Sequence, residues 1–210
     1  MAATAKERMK PYRAYCRSCD VAVDASGPWP GRCGECAQSI EEAPVPDLLG
    51  PDLRVLFVGI NPGVQTARHR HHFANPRNLF WGLLHESGLT PRLVHPKEER
   101  EILRWGLGIT NIVSRATPGA GDVTAEDKQR GRARFAATLA TGKPEWIVFV
   151  GKQAWLFAGG EAAQPFGVAK AGWADHKTFV LPSPSPANAA IPRSTMLKHW
   201  KALRALATTL

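Results

Sequence analysis

Long apolar runs are missing from this chain: none approaches the roughly 18 residues that a membrane-spanning helix needs. Its start, MAATAKERMKPYR, is basic with no apolar stretch behind it, so it does not read as a secretory signal. A cytoplasmic protein is expected, nucleoid-associated if the source is bacterial. Acidic residues are scarce, 18 Asp+Glu against 27 Lys+Arg, for a net charge of +9. That surplus points to a polyanionic partner, most simply nucleic acid, without implying sequence preference, because phosphate contacts dominate non-specific affinity. No strongly amphipathic basic helix marks a membrane surface. Internal repeats and low-complexity tracts are absent too. So are the G-x-G-x-x-G and G-x-x-x-x-G-K-[ST] loops of dinucleotide sites and nucleoside triphosphatases. No serine or cysteine nucleophile with a paired histidine is evident.

Cysteine is absent after residue 36, and the four present form a pattern. Cys16, Cys19, Cys33 and Cys36 make C-x2-C, thirteen residues, C-x2-C. Each pair can present two thiolates from one tight knuckle, and two knuckles close a tetrahedral S4 site. Structural zinc is expected, with Gly27-Pro28-Trp29-Pro30-Gly31 as the turn of a small ribbon. Two alternatives stand beside it: paired disulfides, which a cytosolic protein disfavours, and an iron–sulfur cluster. A saturated site leaves no open coordination position, so the ribbon reads as a docking or DNA-contacting module rather than a reaction centre.

The rest of the 210 residues, in a chain 44% hydrophobic, suffices for one core. The expected organisation is a flexible basic arm (1–14), the ribbon (15–40), a proline-rich linker (41–52) and one domain (53–210). That domain is organised around LRVLFVGINPG, residues 53–63. Val55 to Val58 suits a strand buried on both faces of a parallel sheet. It stops in Gly59-Ile60-Asn61-Pro62-Gly63, which places one uncharged amide, Asn61, in the crevice beyond a strand's carboxyl end, where open α/β sheets bind ligands. The plainer reading is a turn in which Asn bonds its own backbone.

Residues 64–78 read as a loop rich in Arg68, Arg70 and Arg77 and in His69, His71 and His72. Arginine neighbours and the lack of other ligand types argue against metal; a solvated face and phosphate contact both remain open. Phe73 is either a core plug or a platform for a stacked base. Helices are expected over 76–88, 98–105, 124–141 (opened by the Thr124-x-x-Asp127 cap) and 196–206. Lys152-Gln153-Ala154 opens another. Lys128, Arg130, Arg132 and Arg134 are expected to form a solvated face. Further strands are expected over 108–113, 145–151 and 179–182. Strands alternating with helices imply an α/β three-layer sandwich around a central, mainly parallel four-stranded sheet. Its strand ends bring together Asn61, Thr110-Asn111 and the loop after Leu181.

GINPG, then HHFANPRNLFW, GITNIVSRATPG, FVGKQ and LPSPSPANAAIPR together resemble the mismatch-specific uracil and thymine DNA glycosylases of the uracil-DNA glycosylase superfamily. The resemblance covers about residues 53–207 and leaves out the cysteine ribbon. It implies a fold of that superfamily and a monomeric base-excision repair enzyme that flips a nucleotide out and hydrolyses its N-glycosidic bond. It implies Asn61 as the residue that positions the attacking water, Thr110 beside that water, and His72 near the base or water. Phe73 would stack the base. Asn78 would contact its edge, and backbone groups of Gly59, Ile60, Pro62 and Gly63 would surround it. Ser183 to Arg193 matches the loop that enters the duplex, with Ser183, Ser185, Pro186, Ala187, Asn188 and Arg193 as its DNA-contacting residues. Where the family often has a bulky Leu or Arg wedge, this chain has Pro186, Ala187 and Asn188. That weaker plug implies modest preference for G-mismatches and activity on single strands. The product expected is an abasic site, with no catalytic metal and no lyase lysine.

Two other readings compete. One is a non-catalytic nucleic-acid-binding protein in which the ribbon reads and the α/β domain is scaffold; a scaffold has no need of Asn61. The other is a hydrolase of free nucleosides, which has no need of a basic surface.

Overall fold

The computed structural model describes residues 12–15, 22–25, 45–174 and 176–207. Strands β1 (Tyr12–Tyr15) and β2 (Ala22–Ala25) pair antiparallel, Tyr12 opposite Ala25 and Tyr15 opposite Ala22. The basic arm expected over 1–14 therefore already contains the start of a strand. The four cysteines lie outside the described residues, Cys16 and Cys19 between these two strands in sequence.

The domain is built on β3 (Val55–Gly59), β4 (Leu107–Asn111), β5 (Trp146–Val150), β6 (Gly167–Val168) and β7 (Lys177–Leu181). Their order across the sheet is β4-β3-β5-β7-β6. The first four are parallel; β6 adds an antiparallel fifth strand at one edge, where four strands were expected. A two-residue Gly-Val strand carries no alternation from which it could be read. Every residue of β3, β4 and β5 is buried, as expected when helices cover both faces and strands become near-continuous apolar runs.

On one face lie α2 (Phe80–Glu86) and α5 (Arg193–Ala207), the latter burying Met196, Trp200, Leu203 and Ala207 at helical spacing. On the other lie α3 (Ala125–Gly142), through Phe135 and Leu139, and α4 (Lys152–Phe157). The expected cap of α3 is present: Thr124 accepts from the Asp127 backbone and Asp127 from the Thr124 backbone. The segment expected as a helix over 98–105 is a 3-10 turn series, Pro96–Trp105, which buries Glu99 and Ile102.

Two stretches depart further from expectation. Residues 64–69, expected as loop, form a short helix α1 (Val64–His69) that ends on Arg70 in the left-handed region, φ 57°. The linker does not run free: Val45 and Leu48 are buried, and Leu48 exchanges both backbone hydrogen bonds with Ile109 (2.8 and 3.0 Å) along the outer edge of β4.

Candidate functional site

The parallel register sets Gly59 directly against Asn111, at the carboxyl ends of β3 and β4. Side chains alternate along a strand, so Leu107, Ile109 and Asn111 point to one face while Thr110 points to the other. Asn111 lies against Gly59 so closely that a Cβ there would collide with its Oδ1; the Asn111 Cγ would stand at 3.4 Å and the Phe73 Cζ at 3.8 Å. A missing methyl group thus creates the space in which one amide and one aromatic edge meet.

Phe73 is held from below. Its ring stacks on Phe80 with centroids 3.9 Å apart and planes 11° from parallel. Phe80 is itself fixed edge-on against Phe57 (5.4 Å) and Trp200 (5.4 Å), in the middle of the core. Phe73 is half-buried and adopts φ 51°, a conformation costly for an aromatic residue and held only by its surroundings. The preceding residue supplies that hold. His72 is buried; its backbone N–H donates to Glu99 Oε2 (2.6 Å) and its carbonyl accepts from Trp81 Nε1 (3.1 Å). Its Nε2 pairs with the Pro46 carbonyl at 3.0 Å. Burial pushes its pKa below the ordinary value, so at neutral pH it is the uncharged imidazole donating to Pro46. Every described bond of His72 therefore serves to fix the turn that presents Phe73. His71 meets the other oxygen of Glu99 at 3.1 Å.

Asn61 sits at the end of the turn after β3, half-buried. Its Nδ2 donates to the Thr117 hydroxyl (2.8 Å) and to the Pro62 carbonyl (2.8 Å). Both donors of the amide are spent, and its Oδ1 receives nothing from the described residues. Thr117 is fully buried and donates to the Gly119 carbonyl at 2.7 Å. Its own backbone N–H reaches the Pro62 carbonyl at 3.1 Å. The turn is stitched to the strand beside it, since the Gly59 carbonyl accepts from Ile112 N–H (3.0 Å) and that of Ile60 from Val113 N–H (2.8 Å). Gly63 starts α1, its carbonyl accepting from Ala67 N–H at 2.9 Å.

The remaining expected residues have defined places. The Thr110 hydroxyl donates to Asp47 Oδ1 (2.7 Å), on the face opposite Asn111. Asn78 Oδ1 accepts from the Phe80 N–H (2.9 Å), holding the entry of α2. The loop after β7 folds on itself. Asn188 N–H donates to the Ser185 carbonyl (2.9 Å), Asn188 Nδ2 to the Ser183 carbonyl (2.9 Å), and Ala187 N–H to Ser185 Oγ (3.3 Å). Pro186 and Ala187 form its exposed tip, and Arg193 is paired with Glu86. Gly151, at φ 106°, lies so close to Ser183 that a Cβ would stand 2.9 Å from the serine Cβ.

The structure sets Phe73 and Asn111 around Gly59, two residues before Asn61, as the expected meeting of Asn61 with Thr110-Asn111 at the strand ends requires for Asn111. It adds Thr117, which sequence reasoning did not single out, as the partner of Asn61. The signal for Asn111 was present, two residues after Ile109 on the same strand face. Of the expected solvated face on α3, Arg130 is exposed and pairs with Glu126 (3.4 Å). Arg132 is different, since it binds the Phe157 carbonyl (2.8 Å), and Lys128 lies over the Phe157 ring at 4.2 Å. Arg134 turns inward to Asp47. Among the described residues no group of His, Cys, Asp and Glu side chains could hold a metal ion, and no helix is long and apolar enough to cross a membrane.

Comparison with known proteins agrees with this fold. The family model described as the uracil DNA glycosylase superfamily matches residues 46–207. Among solved structures, the chain is similar to the solution NMR structure of a candidate uracil DNA glycosylase from Methanosarcina acetivorans. That match has a TM-score of 0.51 at 20% identity, over 77% of this chain and 95% of the other, and it concerns the fold.

Proposed function

Because the chain belongs to the uracil DNA glycosylase superfamily, we propose that it is a monofunctional DNA glycosylase. In this reading it removes uracil, and in mismatches thymine or another damaged base, leaving an abasic site. One observation carries the reading. Asn61 has both amide hydrogens tied down by Thr117 and Pro62, which leaves Oδ1 as a fixed acceptor two residues after Gly59, the strand end around which Phe73 and Asn111 lie.

A flipped pyrimidine stacked on Phe73 would meet the Asn111 amide along its edge, where one carboxamide can both donate and accept. Asn61 Oδ1 would accept a hydrogen bond from water and aim its lone pair at C1′ of the sugar. The bond between C1′ and the base nitrogen breaks with its electron pair leaving on the base, and the water oxygen bonds to C1′ as its proton is released. An amide orients water but takes up no proton at neutral pH, so the barrier depends on how well the leaving base carries negative charge. Electron-poor bases and slow turnover follow. His72 and Asn78 contribute by holding Phe73 and the start of α2, and Thr110 by its bond to Asp47.

DNA is the partner, in duplex and, given the small Pro186-Ala187 tip, in single strands, with the protein acting as a monomer in the cytoplasm. We read the four cysteines as a structural zinc ribbon. Zinc and iron analysis of the purified chain, one bound zinc expected and no iron–sulfur absorbance, tests that separately.

The test of the activity is single-turnover excision from an oligonucleotide carrying uracil opposite G, opposite A, or unpaired, followed by alkaline cleavage. Wild type should cleave and Asn61→Ala should lose about a hundredfold or more, the scale of a lost transition-state contact. A wild type silent on uracil and on other damaged bases would favour the non-catalytic binding protein.

A further inference from the structure

We propose that Asp47 and Arg134 form a clamp that positions Asn111, so that a residue of the segment before β3 and one of α3 set the accuracy of base reading. The proposal rests on the reading of Asn111 as the amide that meets the base. β4 is the outer strand of the sheet, and among the described residues its far edge is paired only at Ile109, to Leu48. The next two residues, Thr110 and Asn111, end the strand with side chains on opposite faces, Asn111 toward the site and Thr110 toward Asp47. Arg134 ties them together. One guanidinium nitrogen donates to the Asn111 carbonyl and lies 3.5 Å from the Thr110 hydroxyl; the other donates to Asp47 Oδ2 at 2.7 Å. Asp47 completes the ring by accepting from Thr110 at 2.7 Å on its other oxygen.

The guanidinium does not take the forked pose that an arginine–carboxylate pair prefers. It meets Asp47 through one nitrogen and gives the other to a backbone carbonyl, while its buried Nε has no hydrogen-bond partner among the described residues. A pair serving only charge neutralisation would leave the Asn111 carbonyl to water. Here the cation bridges the carboxylate and the peptide group that follows the Cα carrying the Asn111 side chain. Since that side chain must sit against Gly59 without a Cβ's width to spare, a small rotation of the peptide moves the amide off the base.

Arg134→Met, Arg134→Lys, Asn111→Ala and the Arg134→Met/Asn111→Ala pair test this in the full chain by two independent readouts. The first is the Asn111 side-chain amide in a nitrogen-15 NMR spectrum, a sharp pair of signals in wild type that should shift and broaden in Arg134→Met and recover in part in Arg134→Lys. The second is single-turnover uracil excision, expected to fall about tenfold in Arg134→Met, as for a lost bond from a charged donor, with no further loss when the same change is made in Asn111→Ala. An unmoved Asn111 signal, or losses that multiply in the double variant, overturns the clamp and leaves Arg134 a structural residue. If wild type excises nothing while the Asn111 signal still responds to Arg134→Met, the positioning stands and the glycosylase reading is what fails.

Discussion

Gly59→Ala is the sharpest perturbation of the proposed pocket. The position has no left-handed backbone requirement, so the whole effect comes from the added methyl group meeting Asn111 Oδ1. The obstructed atom is the far end of a side chain, and Phe73 Cζ at 3.8 Å is an ordinary contact. The amide should swing aside while the fold accommodates. The expected stability cost is about 1 kcal/mol, the low end for overpacking. That corresponds to a melting temperature lower by about 2–4 °C in a domain of this size. The functional cost should be larger. A bidentate contact between a side-chain amide and a base edge is worth about 1–3 kcal/mol, which is about a ten- to hundredfold loss of excision. Thermal denaturation and single-turnover excision on one preparation separate the two quantities. Undiminished excision in a folded Gly59→Ala would refute the placement of the base between Phe73 and Asn111.

Three further outcomes are expected. Thr117→Val removes the acceptor that fixes Asn61 and should slow excision about tenfold at a stability cost of about 1 kcal/mol, the worth of one net hydrogen bond; equal rates in the two proteins would show that Asn61 needs no such partner. Stability should fall on acidification in two stages. Buried His72 has its pKa below the ordinary 6.5, so the unfolded chain binds the proton first and stability declines as pH drops below about 6.5. Asp127, held well below the usual carboxylate range by Arg115 at 2.5 and 3.1 Å, stabilises the fold above about pH 4, and that contribution is lost as pH falls further. Urea unfolding from pH 7.5 to 3 would measure this, and His72→Gln should flatten only the first stage. Finally, the small Pro186-Ala187 tip predicts less than about a hundredfold preference for uracil opposite G over uracil opposite A, a difference of roughly 2.7 kcal/mol, and Ala187→Arg should widen it.

What could be read from the residues alone follows from where the physics is local. Val55–Gly59 and Trp146–Val150 announce themselves because strands covered on both faces are apolar at every position. The start of α3 is legible because a capping box involves residues three apart. The helix α1 was missed because Val64, Thr66 and Ala67 give too short a buried stripe, and because its end is a non-glycine residue in the left-handed region. Arg134 looked like one more surface charge on a basic helix. Its partner lies 87 residues earlier in the chain, and no spacing rule reaches that far. The site shows the same division. Asn61 stood out as an amide in a glycine–proline turn and Asn111 as the end of a strand. The contact of Asn111 with Gly59, however, comes from the register that lays β4 beside β3, and Thr117 gains meaning only from its bond to Asn61, 56 residues away. The described bonds of His72 go to residues 26 and 27 positions earlier and later and to the indole of Trp81.

The short backbone exchange between Leu48 and Ile109 has a consequence for how the chain can be cut. An uncovered outer strand is a template for pairing with another copy, and proteins guard such edges. Here the guard is the segment that follows the four cysteines in sequence, so what joins the N-terminal part to the sheet also protects β4. A protein begun at Leu53, where the first strand's apolar run suggests a boundary, would keep all five strands yet bare the edge beside the pocket, inviting self-association. Begun a few residues earlier, with Val45 to Leu48 kept, it should stay monodisperse.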